Sequence, residues 1–137
     1  MASRLTVDFE RIAKFVQARV PVPLAQGMRA IGLERDGQVV AGALFEGYNG
    51  RNVWIHLAGE GRNWLTRQFI HACMRYVWVT LGCARISCHV VAGNAASVRF
   101  VERFGWRREA VLDGAAADGG DVLIYAMTKE ECRHAFE

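Results

Sequence analysis

The chain has 137 residues, 52% of them hydrophobic and 23% charged, with a formal net charge of +3. That is apolar material for the core of one domain, and too much of it for a disordered or low-complexity chain. The longest stretch without Asp, Glu, Lys or Arg, Ile86–Val98, still contains His89 and Asn94, so a membrane-spanning helix of about 20 apolar residues is excluded.

A first strand is expected over Arg4–Val7. Asp8 then caps a helix over Phe9–Arg19, with Phe9, Ile12, Ala13 and Val16 on one face. Pro21 and Pro23 stop it. Three strands follow as a meander: Met28–Glu34, Val39–Tyr48 and Asn52–Ala58. Asp36-Gly37 and Asn49-Gly50 are the hairpin turns. Gly42 and Gly47 weaken the middle strand.

After the loop Gly59–Asn63 the spacing predicts a long helix from Trp64 to about Leu81, stopped by Gly82. Ala84–Val91 reads as a buried central strand. Asn94 caps a helix through Phe104, ended by Gly105. Trp106–Leu112 and Asp121–Thr128 form a closing hairpin. The whole predicts one α+β domain, residues 1–137, mostly antiparallel, with one β-α-β crossover.

Met1–Asp8 lacks the apolar segment of a secretory signal. Cys73, Cys83, Cys88 and Cys132 form no Cys-x-x-Cys pair, and no His lies at metal-site spacing from them. The expectation is reduced thiols in a cytoplasmic setting, no metal, and no contact with a membrane. Charge is unevenly spread. Residues 51–108 carry nine Arg against Glu60 and Glu102, which suggests an anionic partner. No basic-aromatic motif supports nucleic acid.

The run Asn94-Ala-Ala-Ser-Val-Arg-Phe-Val-Glu-Arg-Phe-Gly-Trp106 carries a family pattern. It resembles the GNAT superfamily of N-acetyltransferases, in which Asn is followed by a small residue, an aromatic and then Gly-Phe. Asn94, Ser97, Phe100, Gly105 and Trp106 stand in those places. The resemblance covers Asn52–Met127, and Trp-Leu-Thr-Arg and Glu-Cys-Arg further resemble small GNAT-like proteins carried by bacteriophages. It implies a GNAT-like sheet flanked by helices, with acetyl-coenzyme A as substrate and a primary amine as acceptor. Two departures stand out. The family's phosphate loop has glycines where this chain has Trp64 and Thr66, although Gly59-x-Gly61 is an alternative register. Val101 stands where many members have the Tyr that protonates the leaving thiolate.

The resemblance places the oxyanion donor and the strand that pairs with the pantetheine arm at His56, Leu57 and Ala58. His56 is the candidate general base, since it lies on that strand and imidazole is the usual proton acceptor at neutral pH, and Tyr125 is the candidate substitute acid. Asn94 serves as a helix cap, as a coenzyme A contact, or as both, with Ser97 beside it. Trp64 is expected to face the ligand. Arg62, Asn63, Thr66 and Arg67 are expected to bind an anion at the helix start. The expected reaction is acyl transfer to an amine by direct attack. The alternative is a catalytically weak or inactive GNAT-like module acting through protein contacts. The oligomeric state is not legible, and a homodimer stays open.

Overall fold

The computed structural model describes residues 2–137. In chain order the elements are β1 (Ser3–Thr6), α1 (Phe9–Gln17), β2 (Arg29–Arg35), β3 (Gln38–Glu46), β4 (Asn52–Gly59), α2 (Arg67–Arg75), β5 (Arg85–Val91), α3 (Ala95–Phe104), β6 (Arg107–Leu112) and β7 (Val122–Thr128). They build one seven-stranded sheet in the order β1-β2-β3-β4-β5-β7-β6. Every neighbouring pair is antiparallel except β4 and β5, which α2 joins as a crossover. The expected α+β class, meander and closing hairpin are all present.

Strand alternation gives the sheet two faces. On one, α1 packs Ile12, Ala13, Phe15 and Val16 against Ala30, Leu44 and Ala58. On the other, α2 and α3 cover Phe45, Val53, Ile55, Ile86, Cys88 and Tyr125. Gly42, which weakens β3 as a strand, is where α1 comes close. A Cβ there would lie 2.9 Å from Ile12 Cγ2 and 2.9 Å from Val16 Cγ2. Asp36 and Gly37 both take positive φ, 52° and 77°, as a tight hairpin turn requires.

The long helix differs from expectation. It begins at Arg67, not Trp64, because Thr66 is extended and its Oγ1 accepts from the Phe69 N–H at 3.1 Å. It also changes form, since Tyr76–Thr80 make a π-helical turn. The wider turn lets the adjacent Val77 and Trp78 both point inward. Asp8 and Asn94 cap α1 and α3 as the sequence implies, and Gly105 ends α3 in the left-handed region at φ 118°.

The four cysteines are unbridged thiols. Burial pushes Cys88 up to about 12, so it stays protonated at neutral pH. No helix among the described residues is long and apolar enough to cross a membrane.

Candidate active site

The two parallel strands part. β4 and β5 are in register only at Asn52–Arg85, Val53–Ile86 and Trp54–Ser87. Beyond Trp54, β4 stays paired with β3 as far as Gly59, and β5 stays paired with β7 as far as Val91. The halves facing each other have no strand between them.

Which backbone groups face this gap follows from the phase of the ladders. The Glu60 N–H donates to Val40 C=O at 3.0 Å, and the Ala84 N–H donates to Arg51 C=O at 2.9 Å. Alternate residues of an antiparallel strand direct their amides to opposite sides. Ile55, Leu57 and Gly59 therefore turn theirs toward β5. On β5, the Ala92 N–H donates to Asp121 C=O at 2.9 Å, which leaves His89 and Val91 facing β4. Of the three candidates His56, Leu57 and Ala58, only Leu57 offers its N–H to the gap. The other two spend theirs on β3.

The gap opens into a cleft of about 590 Å³ lined by Ile55–Gly59, Cys88–Val91, Trp64, Asn94, Ser97 and Val101 among others. Two histidines that line the cleft, His56 and His89, are in contact with Glu46 and Trp54 beside it. The His56 imidazole is 8% exposed, and its Nε2 hydrogen-bonds the Glu46 carboxylate. Register explains the contact. Leu44 lies opposite His56, so Glu46 is the diagonal neighbour on the same face. With Nε2–H donating to Glu46, the tautomer leaves Nδ1 as an acceptor. The His89 ring stands edge-on to His56, centroids 5.4 Å apart, and 6.1 Å from Trp54. The cleft walls around His89, and then His56, hold its pKa below the usual histidine value, against a smaller opposite pull from Glu46. Glu46 was missed as a site residue because the hairpin loop hides the register. Its position two residues beyond His56's partner was the available signal.

The remaining candidates divide. Asn94 and Ser97 line the cleft, but the Asn94 Oδ1 accepts from the Ser97 N–H at 3.1 Å, so its carbonyl oxygen caps α3. Trp64 lines the cleft too, half-buried, packed on Gly59 with its ring centroid 5.6 Å from Phe100 and 6.3 Å from Phe69. Arg62, Asn63, Thr66 and Arg67 do not line it. The Asn63 carbonyl accepts from Arg35, Thr66 is the helix cap, and Arg67 borders a separate hollow outside α2 with His71 and Arg133.

Tyr125 corrects an expectation. It is fully buried on the α3 side of β7 and does not line the cleft. Its hydroxyl donates to the Glu102 carboxylate at 2.7 Å and accepts from Arg108 at 3.4 Å. Burial and Glu102 raise its pKa, so it ties α3 to the sheet and offers no proton to the cleft. Val101, where a donor is usual in the resembling family, lines the cleft as an aliphatic. Among the described residues no three His, Cys, Asp or Glu side chains are grouped to hold a metal.

By sequence, the chain matches no family model and no curated protein. By structure it has clear neighbours. A variant of the spermidine N-acetyltransferase of Vibrio cholerae superposes with a TM-score of 0.75 at 13% identity, covering 96% of this chain and 96% of that one. A dodecameric form of the same enzyme gives 0.75 at 13% identity, with 94% and 95% covered. A GNAT-family acetyltransferase from Bacillus anthracis gives 0.60 at 20% identity, with 74% and 66% covered. At such identities the likeness is one of fold, and the fold of this chain is that of the GNAT superfamily.

Proposed function

We propose that this protein is an N-acyltransferase that moves an acetyl group from acetyl-coenzyme A to a primary amine by direct attack. The observation that carries the proposal is the parting of β4 from β5, which leaves unpaired amides beside a buried imidazole. A thioester arm laid in the gap takes the place of the missing strand and pairs with the exposed amides as an added strand would. The Leu57 N–H then points at the thioester oxygen, where negative charge develops. His56 Nδ1 accepts the proton of the attacking amine, and Glu46 steadies the imidazolium that results. The fold neighbours named for acetyltransferase activity support the same reaction.

In this scheme Asn94 and Ser97 contact the donor at the rim, and Trp64 meets it at the mouth. Nothing near Val101 protonates the leaving thiolate, so solvent does. A second reading, a GNAT-like module that acts through protein contacts, is favoured by Val101 and by the indole over Gly59.

The deciding experiment is calorimetric titration with acetyl-coenzyme A, followed by a thiol-release assay across a panel of primary amines. Binding and amine-dependent thiol release support the enzyme. Absence of both establishes the module.

A further inference from the structure

We infer that the acyl donor is recognised through its pantetheine arm and not through its nucleotide diphosphate, and that Trp64 sets this preference. The inference rests on the acyl-transfer reading of the cleft.

The arm suits the gap. It carries two amides, and the gap presents the amides of Leu57 and Gly59 on one bank and of His89 and Val91 on the other. The surrounding walls, Leu57, Leu65, Phe69, Val90 and Val101, suit its methylenes. A diphosphate at the far end of the arm needs something different: converging N–H donors or cations, with room for backbone to approach.

The outer end of the cleft supplies none of these. Past Gly59 the chain places an indole. Trp64 lies so closely on Gly59 that a Cβ there would run into the ring. The indole lies between Phe69 on α2 and Phe100 on α3, its ring centroid 6.3 Å from one and 5.6 Å from the other, and fills the space beside Gly59 just ahead of the start of α2. The Thr66 hydroxyl is already spent on the Phe69 N–H. Arg19 is the sole arginine among the cleft-lining residues. Its guanidinium lies over the Phe15 ring, donates to the Phe15 carbonyl at 2.9 Å and pairs with Glu60 at 3.3 Å. An anion set against the Trp64 side of the cleft would lose water and meet no cation that is not already paired, which is unfavourable.

The reaction needs no nucleotide. The amine nitrogen forms a bond to the acyl carbon, the C–S bond breaks, and the sulfur leaves with the electron pair. The amine's proton passes through His56 to solvent, and a proton from solvent completes the thiol. Pantetheine thioesters without a nucleotide therefore serve as donors alongside the coenzyme A ester.

The test compares acetyl-pantetheine with acetyl-coenzyme A on the wild-type protein, by titration and by thiol release. The expected kcat/KM values agree within about tenfold, since no charge-assisted contact separates the donors. A preference for acetyl-coenzyme A above about a hundredfold, the scale of two such contacts, overturns the inference and leaves acyl transfer standing. If neither thioester binds, acyl transfer itself falls. Trp64→Gly removes the indole from the space beside Gly59, and KM for acetyl-coenzyme A is expected to drop relative to that for acetyl-pantetheine. An equal change for both donors would show that the indole does not act on the nucleotide end. Should the glycine variant fail to fold, the wild-type comparison still decides.

Discussion

The Nε2–H of His56 donates to the carboxylate of Glu46, one strand over and ten residues earlier in the chain. The bond crosses β3 and β4 on the face that α1 leaves uncovered near the strand ends. It fixes which imidazole nitrogen is free, on a residue that lies just past the last pairing of β4 with β5. A ring that can accept a proton and a backbone donor left unpaired, Leu57 N–H, are thus neighbours in sequence at the edge of the gap.

His56→Gln is expected to lower kcat by about 10²–10⁴-fold, the usual worth of general base help. Glu46→Gln should lower it less, because the amide oxygen of the variant side chain still accepts from Nε2–H but does not neutralise the imidazolium. KM for the thioester should move in neither variant. Steady-state kinetics check this. A Glu46→Gln change in KM alone would make Glu46 a binding or structural residue.

Tyr125→Phe should leave turnover within about twofold and cost about 1 kcal/mol of stability through the lost hydrogen bond to Glu102. Urea denaturation and the thiol-release assay measure the two effects. A fall in kcat with stability unchanged would return Tyr125 to the role of acid.

Much of the fold was legible because caps and turns are local. Asp8, Asn94, Gly105 and Asp36-Gly37 each state their structure through their own side chains or φ angles. The start of α2 was misjudged because Asn63, just before Trp64, is by residue type at least as good a cap as Thr66, the one the structure uses. The π turn at Tyr76–Thr80 serves tertiary burial of Val77 and Trp78, which helical periodicity does not register. The site was legible only in part for a different reason. Partnership across strands depends on register, and register is fixed by packing. Glu46 stayed hidden for that reason. Tyr125 need not have misled, since Leu123 and Met127 share its face of β7 and both are buried, as a hydroxyl facing the core would be.

His89 gives the protein an acid sensitivity. Its folded pKa lies below the usual value, chiefly from partial loss of solvent against the cleft walls and then from His56, although the residue keeps an exposed edge. As pH falls through about 6.5 the unfolded chain takes up the proton first, so the fold loses stability on acidification. His89→Gln removes that loss. Melting temperatures of the two proteins should differ most below pH 6 and converge above pH 8. A constant difference across the range would contradict the assignment.

Val101→Tyr should raise kcat near neutral pH and flatten its rise with pH. Without a donor at that position the wild-type rate depends on how readily the thiolate leaves unassisted, and an acid there is worth about 10²–10⁴-fold. Val101 lines a cleft with room for a phenol. A pH–rate profile of both proteins checks it. No gain in the variant, with its fold intact, would mean that thiol departure does not limit the reaction.

Gly59 and Trp64 should behave as one unit. Gly59→Ala drives a methyl group into the indole, and overpacking of this kind costs about 1–3 kcal/mol. Trp64→Ala removes the ring and costs its packing on Phe69 and Phe100. In the double variant the clash has no partner, so the combined loss should fall short of the sum by about the clash itself, within the usual range of about 0.5–3 kcal/mol for residues in contact. Urea denaturation of the four proteins closes the cycle. Additive losses would mean that the indole does not rest on Gly59 in solution. The preference for the pantetheine arm would then lose its physical basis.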